Sequence, residues 1–349
     1  MKKLEKLVRP NIWRLKPYSS ARDEFKGEAS VFLDANENPY NTPYNRYPDP
    51  LQWKVKEKIA DLKGVNIESI FLGVGSDEPI DLLYRAFCEP GIDNVIAIDP
   101  TYGMYKVCAD INNVEYRPVR LNNDFDFEPD KLLAEADSNS KLLFLCSPNN
   151  PSGNSFSFEK IRYILDNFQG IVIVDEAYVD FADGSSARTL IEKYPNLLVV
   201  QTFSKSRSMA GMRIGYAMGN KELIKSLNDV KYSFNSYTMS RVALLCGVEA
   251  VNDKAYFEKH VKKICDTREK TKKALAALGF SFPDSQSNFI FASHKSMPAK
   301  EIFTALKERN IFVRYFNKPG IDNYLRITIG TDEQMQALEA ALREILLQA

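Results

Sequence analysis

The chain has 349 residues, 44% hydrophobic and 26% charged, with Lys plus Arg equal to Asp plus Glu at 46 each. That length suits one large and one smaller domain, and the even charge sets up no global field toward nucleic acid or an anionic membrane, so anion binding must arise locally. Two histidines (His260, His294) and five scattered cysteines without a CxxC pair argue against metal sites and disulfide frameworks, while a charged start and the absence of any run of about 20 apolar residues point to a cytoplasmic protein.

In chain order, amphipathic helices are predicted over 51–62 and 80–88. Short apolar strands are predicted over 70–72, 94–98, 114–119, 142–146, 171–174, 197–202 and 213–218. Apolar runs separated by helices argue for a mostly parallel sheet covered on both faces. From about Lys221 the pattern turns helical, with the longest stretch over 255–278. Two further strands, 287–292 and 325–329, then bracket a helix over 300–309, and a helix over 333–347 closes the chain. The fold class is therefore α/β, a large sheet domain followed by a smaller C-terminal one. The expected divisions are an N-terminal arm over 1–30 on the small domain or a partner subunit, a large domain over 31–250 and a small domain over 251–349.

Five local strings carry chemistry. Lys205, in Gln201-Thr202-Phe203-Ser204-Lys205, follows a buried strand, where desolvation favours a neutral, nucleophilic amine able to condense with an aldehyde. Ser204 and Arg213 are spaced to meet one phosphate, although a lone lysine of this kind is usually a solvated surface charge. Asp175 ends the apolar run Ile171–Val174, where a carboxylate can hold a pyridine nitrogen protonated; a helix cap or Mg²⁺-binding acid is the competing reading. Ser147 to Gly153 is by composition only a turn. Gly73 to Glu78 lacks the full dinucleotide and P-loop fingerprints, yet a helix starting there offers N–H groups to a phosphate. Tyr102, after another strand, is suited to stack on a planar ring, with core packing as the plainer role.

In this order and spacing the five strings resemble the fold-type-I pyridoxal-phosphate aminotransferases, over about residues 15–330. Leu15 to Arg22, Leu33 to Pro39, Arg46-Tyr47-Pro48 and Leu325 to Gly330 resemble, within that superfamily, histidinol-phosphate aminotransferases. Ser152 and Phe203 depart from the commoner Thr and Leu without touching the chemistry. The resemblance implies that Lys205 carries pyridoxal 5′-phosphate (PLP) and shuttles the proton, and that Asp175 pairs with the pyridinium nitrogen. It gives Asn150 and Tyr178 the ring hydroxyl and Tyr102 the ring face. Ser76, Asp77, Ser204 and Arg213 hold the phosphate, joined by Tyr47 from the other subunit of a homodimer. Tyr18, Asn36, Arg314 and Arg326 are implied for the substrate. The implied reaction passes the amino group of L-histidinol phosphate to 2-oxoglutarate, giving glutamate, and the N-terminal segment is implied to join the two domains. Close rivals are an aromatic amino acid aminotransferase and a threonine-phosphate decarboxylase. A PLP-sensing transcription regulator would need a DNA-binding module and basic patch.

Overall fold

The computed structural model describes residues 4–17, 30–40, 42 and 44–347. Tyr18 lies outside the described residues. Seven strands form the larger sheet: β1 (Ile70–Val74), β2 (Asn94–Asp99), β3 (Glu115–Arg120), β4 (Ser140–Cys146), β5 (Ile171–Asp175), β6 (Leu197–Thr202) and β7 (Ile214–Gly219). Their order is β1-β7-β6-β5-β4-β2-β3. All neighbours pair in parallel except β7, which runs antiparallel to both β1 and β6. The central strands β4, β5 and β6 are buried almost throughout because both faces meet helices. β3 departs from the expected all-apolar pattern: at the sheet edge, Glu115 and Arg117 face out and form an ion pair.

The helices are α1 (Leu4–Leu7), α2 (Pro10–Trp13), α3 (Trp53–Lys63), α4 (Asp77–Phe87), α5 (Met104–Ile111), α6 (Pro129–Ala134), α7 (Phe158–Asn167), α8 (Lys221–Phe234), α9 (Arg241–Asn252), α10 (Lys254–Ala277), α11 (Ala299–Glu308) and α12 (Asp332–Leu347). One core, with Val55, Ile59, Val172 and Leu165, lies under α3, α7 and α9; the other, with Leu83, Phe87, Tyr105 and Leu227, lies under α4, α5 and α8. Apolar faces on both sides thus clamp the sheet, and side chains of this kind contribute roughly 1.5–3 kcal/mol each when fully buried.

A second, antiparallel sheet has the order β10-β11-β9-β8, with β8 (Phe280–Ser281), β9 (Phe289–His294), β10 (Arg314–Tyr315) and β11 (Leu325–Thr328). Its core joins Ile290, Ile302, Leu325, Leu342 and Ile345 from β9, α11, β11 and α12. Two-residue β8 and β10 carry too little periodicity to show in the sequence.

Leu7 and Val8 are buried in the core shared with α4, α5 and α8. The Arg9 amide donates to the Ala86 carbonyl, and its guanidinium pairs with Glu89 at 3.1 Å. The described part of the N-terminal segment thus packs on the helices of the larger sheet, where Leu4, Leu7, Val8 and Ile12 present one apolar face.

Candidate active site

Parallel strands open a crevice at their C-terminal ends. β4, β5 and β6 end side by side, so Asn150, Asp175 and Lys205, each at or just beyond a strand end, converge there. A cavity of about 130 Å³ is lined by Ser76, Asp77, Tyr102, Cys146, Asn150, Asp175, Tyr178, Thr202, Ser204, Lys205 and Arg213, among others. The five strings scattered over 140 residues of sequence meet in this one place.

Asp175 is 2% exposed. Its Oδ2 accepts the Tyr105 hydroxyl at 2.6 Å and its Oδ1 the Ala177 amide at 3.1 Å. Burial raises the carboxyl to about 6 despite those donors. Lys205 is half-buried, its Nζ 5.8 Å from the centre of the Tyr178 ring. Burial lowers its amine below the ordinary lysine value, and the positive charges of Arg326 and Arg213 push the same way. The site thus holds an amine eased toward its neutral form opposite a desolvated acid. Tyr178 is buried, edge-on to Phe289, and burial pushes its phenol up.

The glycine-rich string is shaped by contact with β7. Gly75 has φ +76° and its amide donates to the Arg213 carbonyl. A Cβ on Gly75 would stand 2.5 Å from Arg213 Nη2, and one on Gly215 would stand 2.2 Å from the Ser76 nitrogen. Only glycine fits there. The start of α4, which no side chain caps, is thereby brought against Arg213 and Ser204, whose Nη1 and Oγ lie 3.4 Å apart. Uncapped N–H groups, a hydroxyl and a guanidinium make a donor set suited to a phosphate. Tyr102 donates to Asp77 Oδ1 at 3.0 Å, and Asp77 lies 3.6 Å from Arg213.

The turn at Ser147–Gly153 is more than loop. Asn149, fully buried, donates to the Pro100 carbonyl and to Ser152 Oγ and accepts from Thr101 Oγ1. It ties the Asn150 loop to the segment that carries Tyr102. Asn150 Oδ1 accepts from Arg326 Nη1 at 2.5 Å, which leaves the Asn150 amide N–H₂ as the free donor. Arg326 crosses from β11 of the second sheet, lies over Phe289 and Phe316, and has no acidic partner among the described residues. Its register partner Arg314 is exposed over Phe316.

Four expected residues do not line the cavity: Arg326 reaches it through Asn150, Arg314 lies one strand farther out, and Asn36 and Tyr47 lie apart from it. Asn36 and Tyr47 line a separate hollow with Arg46, Ser240 and Arg241, where Tyr47 is 53% exposed and stacks on Tyr237 at 4.4 Å. Tyr105 and Thr202 had no assigned role in the sequence. Tyr105 sits three residues after Tyr102, where only helical spacing hinted that it turns toward the core. Thr202 Oγ1 accepts the Ser204 amide at 3.1 Å and fixes the turn before Lys205. Cys146, at the end of β4, is buried in the cavity wall, and burial with Asp175 nearby holds its thiol well above the ordinary value. Among the described residues no cluster of His, Cys, Asp and Glu is suited to a metal ion, and no helix is long and apolar enough to cross a membrane.

Residues 28–342 match the family of class I and II aminotransferases. This chain belongs to that family. The aminotransferase is 48% identical over 350 residues to the histidinol-phosphate aminotransferase of Parabacteroides distasonis, covering 99% of this chain and 100% of that one. It is 49% identical to that of Bacteroides thetaiotaomicron, covering 99% of each. Its fold matches the histidinol-phosphate aminotransferase of Sinorhizobium meliloti in complex with pyridoxal-5′-phosphate, with a TM-score of 0.81 at 24% identity over 87% of this chain and 83% of that one. It also matches the L-threonine-O-3-phosphate decarboxylase of Porphyromonas gingivalis, with a TM-score of 0.72 at 24% identity over 86% and 91%.

The two pKa shifts act together. Raising the pH ionises Asp175 through about 6 and frees the Lys205 amine, and both changes favour an aldehyde-bearing, ring-protonated cofactor. PLP uptake by the aminotransferase stripped of cofactor is expected to strengthen as the pH rises through about 6. In Asp175→Asn the step near 6 should vanish and uptake should be weaker throughout. Absorbance titrations across this range check both, and a wild-type curve with no step there contradicts the assignment.

Proposed function

We propose that this aminotransferase moves the amino group of L-histidinol phosphate onto 2-oxoglutarate, using PLP held in the cavity. The observation that carries the reading is the near-complete coverage, at 48–49% identity, by curated histidinol-phosphate aminotransferases. The cavity supports it. The residues fit the cofactor group by group: the Gly75–Gly215 cradle with Ser76, Asp77, Ser204 and Arg213 for the phosphate, Asp175 for the ring nitrogen, Asn150 and Tyr178 for the ring hydroxyl, Tyr102 for the ring face and Lys205 for the aldehyde carbon.

PLP supplies an aldehyde that takes up the amino group and a ring that draws off the electron pair left at the substrate's Cα. Lys205 Nζ, eased toward its neutral form, would take the Cα proton as general base. Asp175 keeps a proton on the ring nitrogen, and burial keeps water from competing for it. Asn150, its carbonyl held by Arg326, offers only its N–H₂ to the ring hydroxyl. The second half-reaction, with the keto acid, runs the same transfers in reverse.

Both substrates carry an acidic group remote from the reacting amine, and one pocket has to receive each in turn. Arg326 answers that need, since it is beside the cavity, already packed over two rings, and unpaired with any acid among the described residues. Arg314, more exposed and one strand out, is secondary. Tyr18 and Asn36 remain proposed substrate contacts, and Tyr47, turned away from its own cavity, is proposed to serve the site of the other subunit in a homodimer. The division at about residue 250 and a cytoplasmic location complete the proposal. Transfer to a keto acid, rather than loss of CO₂ from a phosphorylated amino acid, separates it from the decarboxylase reading.

Arg326→Lys is expected to lower kcat/KM for histidinol phosphate and for glutamate together, by about 2 kcal/mol, the scale of a lost charge-assisted contact. Arg314→Lys should do less, and PLP should still attach in both; steady-state kinetics that leave Arg326→Lys unimpaired on both substrates put the anion elsewhere. Mixing Lys205→Ala with Tyr47→Ala under subunit exchange should restore activity, because one site of each mixed dimer keeps both residues. No recovery from two impaired parents, with exchange verified, assigns Tyr47 to its own subunit.

A further inference from the structure

Tyr105 stands outside the cavity but touches its most buried charge. Its hydroxyl donates to Asp175 Oδ2 at 2.6 Å, the shorter of the two hydrogen bonds recorded on that carboxylate. The ring is fully buried and fixed on every side. It stacks on Phe144 at 4.6 Å, meets Tyr102 edge-on at 5.7 Å, and its own carbonyl accepts the Tyr84 hydroxyl at 2.7 Å. A phenol held this rigidly spends no rotamer freedom in making its bond. Burial and the neighbouring Asp175 also keep it protonated, hence always a donor.

The charged and titratable groups facing Asp175 come from several elements. Tyr105 faces it from α5, Tyr102 from just before α5, Asp77 from the first turn of α4, Cys146 from the end of β4, Tyr178 from just beyond β5 and Lys205 from beyond β6. Asp77 disfavours the ionised form and Lys205 favours it; among the described residues the Ala177 amide is the only other donor to the carboxylate. A carboxylate desolvated to this degree needs hydrogen bonds to stay ionised.

We infer that Tyr105 is a positioning residue for the reaction: its hydroxyl holds Asp175 ionised and in the orientation that presents the carboxylate to the cofactor's ring nitrogen. The inference rests on the PLP reading above, and Tyr105 acts through Asp175 without touching substrate or cofactor. Tyr102, by contrast, lines the cavity itself; the two tyrosines, one helical turn apart, serve the ring face and the ring's counter-charge respectively.

The test is Tyr105→Phe, which keeps the ring and its stacking and removes one hydroxyl. In cofactor-free protein, the infrared C=O band of the protonated Asp175 carboxyl, assigned by its loss in Asp175→Asn, gives the midpoint of ionisation directly. That midpoint should move up by roughly one pH unit or more in Tyr105→Phe. In the loaded enzyme kcat should fall by about ten- to a hundredfold, with KM for histidinol phosphate little changed. Tyr84→Phe removes a buried hydroxyl that bonds the Tyr105 carbonyl and not Asp175, and should move the midpoint clearly less than Tyr105→Phe does. Replacing Tyr105 by 3-fluorotyrosine, a stronger donor of nearly the same shape, should move the midpoint down, and this serves if the Phe variant does not fold. An unmoved midpoint in folded Tyr105→Phe or in the fluorinated protein, or an equal shift in Tyr84→Phe, overturns the inference. Failure of the wild-type protein to take up PLP instead overturns the functional reading, and the carboxyl titration still tests the Tyr105–Asp175 contact.

Discussion

Asp175 carries a negative charge to a place water does not reach, and the active site is built around keeping that charge usable. Such a group stays ionised only when donors and a complementary charge surround it. The sheet supplies the arrangement. β4, β5 and β6 run parallel and end together, so the groups that follow them converge without any long loop having to be ordered. Lys205, at the end of the neighbouring strand, experiences the same desolvation with the opposite consequence, since burial pushes an amine toward its neutral form. One physical cause, removal of water at the strand ends, thus prepares both the acid and the nucleophile.

Depressed basicity alone does not mark the functional lysine. Lys56 is lowered to about 7 and Lys231 to about 8, both chiefly by burial. Lys231 instead donates to the Leu72 carbonyl and to Gln52 Oε1, a structural role that ties α8 to β1. What distinguishes Lys205 is its company within one cavity: a buried acid, a tyrosine and a donor set suited to a phosphate. The cradle depends on close backbone approach at Gly75 and Gly215, and the Asn150 side chain in the cavity wall is held by Arg326 from the second sheet.

Much of this was legible in the sequence, for identifiable reasons. The buried strands of the large sheet are near-continuous apolar runs, which both-face burial demands, and the site strings follow them directly. Lys205, Asp175, Asn150, Tyr178, Tyr102, Ser204 and Arg213, though far apart in sequence, accordingly line one cavity. Less legible were features made by tertiary contact. Tyr105 reads as an ordinary helix residue until α5 docks on β4 and β5. The bond from Arg326 to Asn150 joins positions 176 apart. The packing of residues 4–13 on α4 and α8 was not legible either, because two four-residue helices carry too few apolar positions to choose between surfaces.

The most direct measurement is chemical. Protein loaded with PLP is reduced with borohydride, digested, and the cofactor-bearing peptide identified by mass spectrometry, with Lys56 and Lys231 as internal competitors of lowered basicity. The cofactor should be found on Lys205 alone, and Lys205→Ala should give no such adduct and almost no transamination. An adduct on Lys56, Lys231 or any other lysine, with Lys205 unmodified, would contradict the assignment of the site.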